Sequence, residues 1–167
     1  MTQNQNQHIH EHHHDGLISA LAFGGFLVIV GLVFVQNPNL WNQINTFFNN
    51  FTTSKVPFPG SSSSNVVLPA PADPSAYNVL YWALIQFDVG IGFLQVLILG
   101  LRLNRHSRLG RIAETVGNMV FWFGAAVLVN IFLLTGTLSG WFEYWAALII
   151  LVGVSIVARA VVYFTKR

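Results

Sequence analysis

The sequence predicts an all-α membrane protein. It has four transmembrane helices, set as two tandem αα-hairpins forming a bundle, and a short amphipathic external helix. Three observations predict this class. Hydrophobic residues make up 53% of the 167 residues and charged residues only 8%, against about a quarter charged in ordinary globular domains. Four long stretches are nearly free of charge, and the cations gather at one end of them. A soluble chain this short has too little interior to hide so much apolar surface. Lipid removes that difficulty.

A spanning helix needs roughly 20 apolar residues, because each advances about 1.5 Å through a hydrocarbon core about 30 Å thick. The first such stretch is 16–35, whose most polar residue is Ser19. The second, 77–101, carries Gln86, Asp88 and Gln95. The third, 112–134, carries Glu114, Asn118 and Asn130, and the fourth, 141–164, carries Glu143, Ser155 and Arg159. In hydrocarbon every backbone amide needs an internal partner, so these stretches are expected to be helices. Asp15, Asp73 with Pro74 behind it, and Ser139 read as the starts of spans one, two and four. The first span has a His-rich, acidic flank and exceeds an h-region in length, which argues against a cleaved signal peptide.

The organisation follows. Residues 1–15 read as a disordered, His-rich cytoplasmic tail, and 16–167 as the transmembrane domain with an external loop at 36–76. In that loop Asn37-Pro38 reads as a helix start. Leu40, Trp41, Ile44, Phe47, Phe48 and Phe51 recur behind it at helical spacing, opposite Asn42, Gln43, Asn45 and Asn49. Such a helix either lies on the outer interface or packs on the bundle. From Lys55 to Ala72 the chain is rich in Pro and Ser and reads as an extended or flexible tether. Asn50-Phe51-Thr52 is an N-glycosylation sequon.

Arg102, Arg105, Arg108 and Arg111 fill the loop between spans two and three, and Arg159, Lys166 and Arg167 end span four. Only Lys55 lies on the other side. The positive-inside rule then puts both termini and the Arg loop in the cytoplasm of a multi-pass cell-membrane protein. A pI near 9.3 raises nucleic acid as a partner, but cations placed at helix ends suit a bilayer instead.

Tyr81-Trp82-Ala83 recurs as Tyr144-Trp145-Ala146. The same offset aligns Val89-Gly90 with Val152-Gly153 and Gly92 with Ser155. Phe23-Gly24-Gly25 likewise matches Phe123-Gly124-Ala125. Both hairpins run inside to outside and back, so the expected repeat is parallel, with a pseudo-twofold axis along the membrane normal. Gly24, Gly25, Gly92, Gly124, Ala125 and Gly153 are expected to let helices approach closely. Trp and Tyr at 41, 81, 82, 141, 144 and 145 all fall at the outer interface, as an aromatic belt.

Asp88 stands midway along span two, where a lone carboxylate costs several kcal/mol. No basic residue lies at its depth, so it is expected to be carried neutral. Tyr81, Ile85, Asp88, Gly92, Gln95 and Leu99 form one stripe leading toward Arg102. Asp88, Gln95, Asn118 and Ser155 make a candidate polar or proton-binding cluster in the interior. Glu114 and Arg159, near the cytoplasmic boundary, make a candidate ion pair. His8, His10, His12, His13 and His14 make a candidate metal cluster, since neutral imidazole binds Zn²⁺, Ni²⁺ and Cu²⁺. A flexible tail supplies no fixed geometry for one, and no cofactor is expected.

Two stretches, ISALAFGGFLVIVGLVF from Ile18 to Phe34 and AETVGNMVFWFGA from Ala113 to Ala125, are similar to small four-span membrane proteins of archaea with no named activity. The resemblance implies a membrane location and a four-helix fold, and it carries over no catalytic residue.

No cysteine is present, which excludes disulfides, thiolate metal sites and a Cys nucleophile. No His lies in a span, and no paired-carboxylate, HExxH, GxSxG or phosphate-loop motif occurs. An enzyme is therefore not expected. The expected role is an accessory, assembly or scaffolding subunit of a membrane complex, partnered by the bilayer and by its own copies or other membrane subunits. The alternative is a small proton-coupled transporter or channel with Asp88 titrating and Gln95 and Asn118 lining the route.

Overall fold

The computed structural model describes residues 3–57, 65–104 and 109–165, with side chains from Gly16 onward except at Leu17, Val56, Pro57 and Asn65. The described residues are 84% helical. Helix α1 runs Gln3–Gln36, α2 Leu40–Asn49, α3 Asn78–Asn104, α4 Leu109–Leu128 and α5 Leu138–Thr165. Four segments are long and apolar enough to cross a membrane: Ile18–Gln36, Pro74–Asn104, Leu109–Leu133 and Leu138–Thr165. They cover the four stretches expected from the sequence.

The starts of these helices differ in instructive ways. No Gly or Pro interrupts residues 3–15, and α1 begins at Gln3, so Asp15 lies within the helix and does not cap it. The turns over the expected unstructured tail therefore belong to α1. Asn37 and Pro38 form a turn rather than a helix start, and α2 begins after Asn39. The Asn37 side chain instead donates to the Val33 carbonyl at 2.9 Å and to Gln86 Oε1 at 2.8 Å, tying that turn to α3. Asp73 does cap: its Oδ1 accepts from the Ser75 amide at 3.0 Å and the Ser75 hydroxyl at 2.7 Å. One 3-10 turn, Pro74–Tyr77, then leads into α3. At α5 the capping hydroxyl is that of Thr137, which accepts from the Gly140 amide at 3.1 Å, while Ser139 only donates to Thr137.

The segment between α2 and α3 holds an element that the composition concealed. Strands β1 (Phe51–Pro57) and β2 (Asn65–Pro71) pair antiparallel from Phe51↔Pro71 to Pro57↔Asn65. The chain is thus not purely α-helical. β-Branched residues supply the strand preference, namely Thr52, Thr53 and Val56 on β1 and Val66 and Val67 on β2. The prolines fit because each strand of a two-stranded ribbon keeps one unpaired edge. The Trp141 indole of α5 donates to the Pro69 carbonyl at 3.2 Å and pins β2 to the bundle. Helix α2 packs rather than floats: Leu40 is buried, and Phe47 stacks edge-on against Tyr77 and Phe51.

The last turn of span three is not an α-turn. Val129–Leu133 is a π-helix, with the Leu134 amide donating to the Val129 carbonyl at 3.1 Å. Val129 and Leu133 are buried with Tyr77, Tyr81, Trp141 and Tyr144 in the main apolar cluster.

The order of packing is linear. Helix α1 packs on α3, α3 on α4, and α4 on α5. Only 6% of the apolar windows of α1 and α5 is buried, against 28% for the α3 and α4 spans. The bundle is therefore open, with α3 and α4 inside and α1 and α5 flanking them. Strict twofold symmetry between two hairpins would copy the α3·α4 seam as an α5·α1 seam, and no such extensive seam exists.

Candidate functional site

The four residues of the expected polar cluster share no single cavity and, among the described residues, no hydrogen bond. Asp88 is 3% exposed on α3. It lines neither of the two cavities at the ends of the bundle. Ser155 is also buried, and its hydroxyl donates to the Val152 carbonyl of its own helix at 2.8 Å. That bond satisfies Ser155 locally, which removes it from any shared network. Gln95 and Asn118 do come together, at the end of the bundle that bears the arginines.

There, α1, α3 and α4 enclose a cavity of about 410 Å³. Ile18, Ser19 and Ala22 of α1 form one wall, Gln95, Ile98 and Arg102 of α3 a second, and Arg111, Glu114, Thr115 and Asn118 of α4 a third. The Arg102 guanidinium donates through Nη1 to the Arg111 carbonyl and to Thr115 Oγ1. Thr115 Oγ1 in turn donates to the Arg111 carbonyl at 2.8 Å, one helical turn back. Its hydroxyl is thereby consumed, as a buried hydroxyl requires. Arg102 Nε is buried and has no partner.

Arg159 pairs differently from expectation. Its Nη2 donates to Asn118 Oδ1 at 2.7 Å, while Glu114 is exposed at the cavity rim and makes no ion pair with it. The reason is spatial. A side chain on Gly117 would meet Arg159 Cγ and Nε at 2.3 Å, so the arginine stem lies directly on the bare α4 backbone. That seat aims the guanidinium at the next residue, Asn118. Sequence reasoning passed over Thr115 and Gly117 and read Arg102 as a loop cation to which the α3 stripe leads. The legible signal was the α3 stripe through Asp88, Gln95 and Leu99, which ends at Arg102.

At the opposite end, Val33, Leu40, Phe47, Leu80, Phe87 and Trp141 line part of a second cavity of about 400 Å³. Its walls are almost wholly apolar. The Tyr81 hydroxyl is buried with no partner. The five tail histidines have undescribed side chains, so their candidate metal cluster lies outside the described residues, among which no metal-binding group of His, Cys, Asp and Glu occurs. Asn50, the sequon residue, is exposed between α2 and β1.

The repeated triplets adopt matching postures at two of three positions. Tyr81 and Tyr144 are buried, whereas Trp82 and Trp145 are exposed. The third position breaks the match, since Ala83 is buried and Ala146 exposed. The break extends down the helix. Ala83, Gly90 and Leu94 face α1: Ala83 packs in a cluster with Val33, Ile29 would touch a side chain on Gly90, and Leu94 would touch one on Gly25. Their counterparts on α5 are Ala146, Gly153 and Val157, and these are exposed, with nothing within 4 Å of a side chain on Gly153.

In comparison with known proteins, the chain matches no family model, no curated protein and no solved structure.

Proposed function

We propose that the protein is an integral membrane assembly or scaffolding subunit, non-enzymatic, inserted through its four apolar helices with the arginine-bearing end in the cytoplasm. The observation that carries this reading is the outer face of α5. The equivalent face of α3 receives α1, whereas Ala146, Gly153 and Val157 are exposed and, among the described residues, nothing lies within 4 Å of a side chain on Gly153. Small residues let helix backbones approach closely in lipid, where packing rather than the hydrophobic effect drives association. Gly24 and Gly31 give α1 a second open face of the same kind. A second copy of the chain, or another membrane subunit, completes the seam that the open bundle leaves unmade. The resemblance of spans one and three to four-span archaeal membrane proteins accords with the same class.

The test uses a leucine at the face. Gly153→Leu should leave the helical content and melting temperature of the purified protein unchanged and remove the oligomer or co-purifying subunits seen in mild detergent. Unaltered association in that variant overturns the reading.

A second reading rests on Asp88, buried in α3 without a cationic partner. Buried carboxyls at such depth serve proton relays in transporters. In liposomes holding a pH-sensitive dye, this reading requires proton flux in the wild type and its loss in Asp88→Asn. The assembly reading expects no flux in either.

A further inference from the structure

The cavity between α1, α3 and α4 is lined by polar and apolar surface in about equal parts, sits at the arginine-bearing end, and excludes Asp88. Its donors are arranged for an anion. Arg102 holds its place by donating through Nη1 to Thr115 and the Arg111 carbonyl, its Nε is buried without a partner, and its Nη2 makes no hydrogen bond among the described residues. Asn118 Oδ1 is occupied by Arg159, so the oxygen is spent and the Nδ2 hydrogens remain available as donors. Gln95 and Ser19 line the same space and add an amide and a hydroxyl. The only carboxylate in the lining, Glu114, is exposed and paired with neither Arg102 nor Arg159.

A guanidinium with an open Nη2, beside two amides, matches the tetrahedral oxygens of a phosphate better than a cation. The walls then select the carrier. Ile18 and Ala22 of α1 and Ile98 of α3 put apolar surface against the polar donors. A headgroup lodged among the donors can leave its chains along α1, the most loosely packed helix of the bundle. Basic pockets between membrane helices are suited to lipid headgroups of this kind. We propose that this cavity binds the phosphate group of an anionic lipid, with Arg102 as the charge partner and Asn118 and Gln95 as hydrogen-bond donors.

The test is native mass spectrometry of the full-length protein, extracted from vesicles of phosphatidylglycerol or of a phosphate-free galactolipid. The wild type should retain one phosphatidylglycerol and no galactolipid. Arg102→Gln should lower retention about tenfold, as loss of a charge-assisted hydrogen bond implies. Gln95→Leu, which disturbs no other bond in the cavity, should lower it less. Glu114→Gln should raise it by removing the one repulsive charge. Stripping of the lipid by millimolar inorganic phosphate would uphold the phosphate site and assign it to soluble anions. Equal retention of both lipids, or retention unchanged in both Arg102→Gln and Gln95→Leu, overturns the proposal.

Discussion

A missing side chain at position 117 decides where Arg159 goes. Gly in a helix costs up to about 1 kcal/mol relative to Ala, so Gly117→Ala should stabilise α4 if nothing else changed. The added methyl would instead displace the Arg159 stem and strand the Asn118 oxygen, a loss of about 1–3 kcal/mol. Net destabilisation is the expected outcome, read as a lower melting temperature in detergent; a rise would show that the seat is idle. Gly136 is a different case. It has φ +64°, and a side chain there would meet Ser75 Cα at 2.9 Å. Gly136→Ala is expected to cost about 1–2 kcal/mol from the left-handed backbone alone. Asp73 adds a pH dependence. Hydrogen bonds from the Ser75 hydroxyl and amide hold its carboxyl below the ordinary value of 3.8. A lowered folded-state value means that the cap contributes fully above 3.8 and is lost as pH falls through the lower folded value. The stability gap between wild type and Asp73→Asn should therefore be widest at neutral pH and close in strong acid, and a gap independent of pH would refute the assignment.

At the scale of elements, the ribbon marks the largest difference between sequence and structure. Pro and Ser dominate residues 55–72 and read as tether, because Pro removes ladder donors. A two-stranded ribbon tolerates this, since half of its backbone groups face outward. Isolated two-stranded ribbons are marginal in water, so the indole of Trp141 on the Pro69 carbonyl matters. Trp141→Phe keeps the ring and removes the donor, a loss of about 1 kcal/mol. Limited proteolysis should then cut β2 faster while the helices stay intact; an unchanged cleavage rate would mean that apolar packing alone holds the ribbon. The choice of Thr137 over Ser139 as the α5 cap has a similar origin. Both are capping residues by type, and only the position of the turn after the π-helix brings one of them to the Gly140 amide.

At the scale of the whole molecule, the internal repeat is legible in the motifs and incomplete in the packing. Tyr81 and Tyr144, and Trp82 and Trp145, match in burial because α3 and α5 present the same faces to the core. Only α3 has a helix behind it. The introduction of single cysteines into this cysteine-free chain makes that asymmetry measurable. A thiol at Ala146 should crosslink to a second copy or to another subunit in membranes, whereas one at Ala83 should not, being covered by α1. Reversal of that order would place the interface elsewhere.

Composition and hydropathy alone determined the four long apolar segments, because transfer of a long segment into lipid depends on its average and not on its neighbours. Residue spacing also revealed the polar stripe on α3. Tertiary structure decided which polar groups meet. Helix rotation and depth bring Asn118 to Arg159 and Gln95 to the Arg102 cavity, and leave Asp88 apart. A sequence specifies each helix face, but which faces are turned together depends on steric fits such as an arginine stem on a bare glycine, and those exist only once the helices are packed.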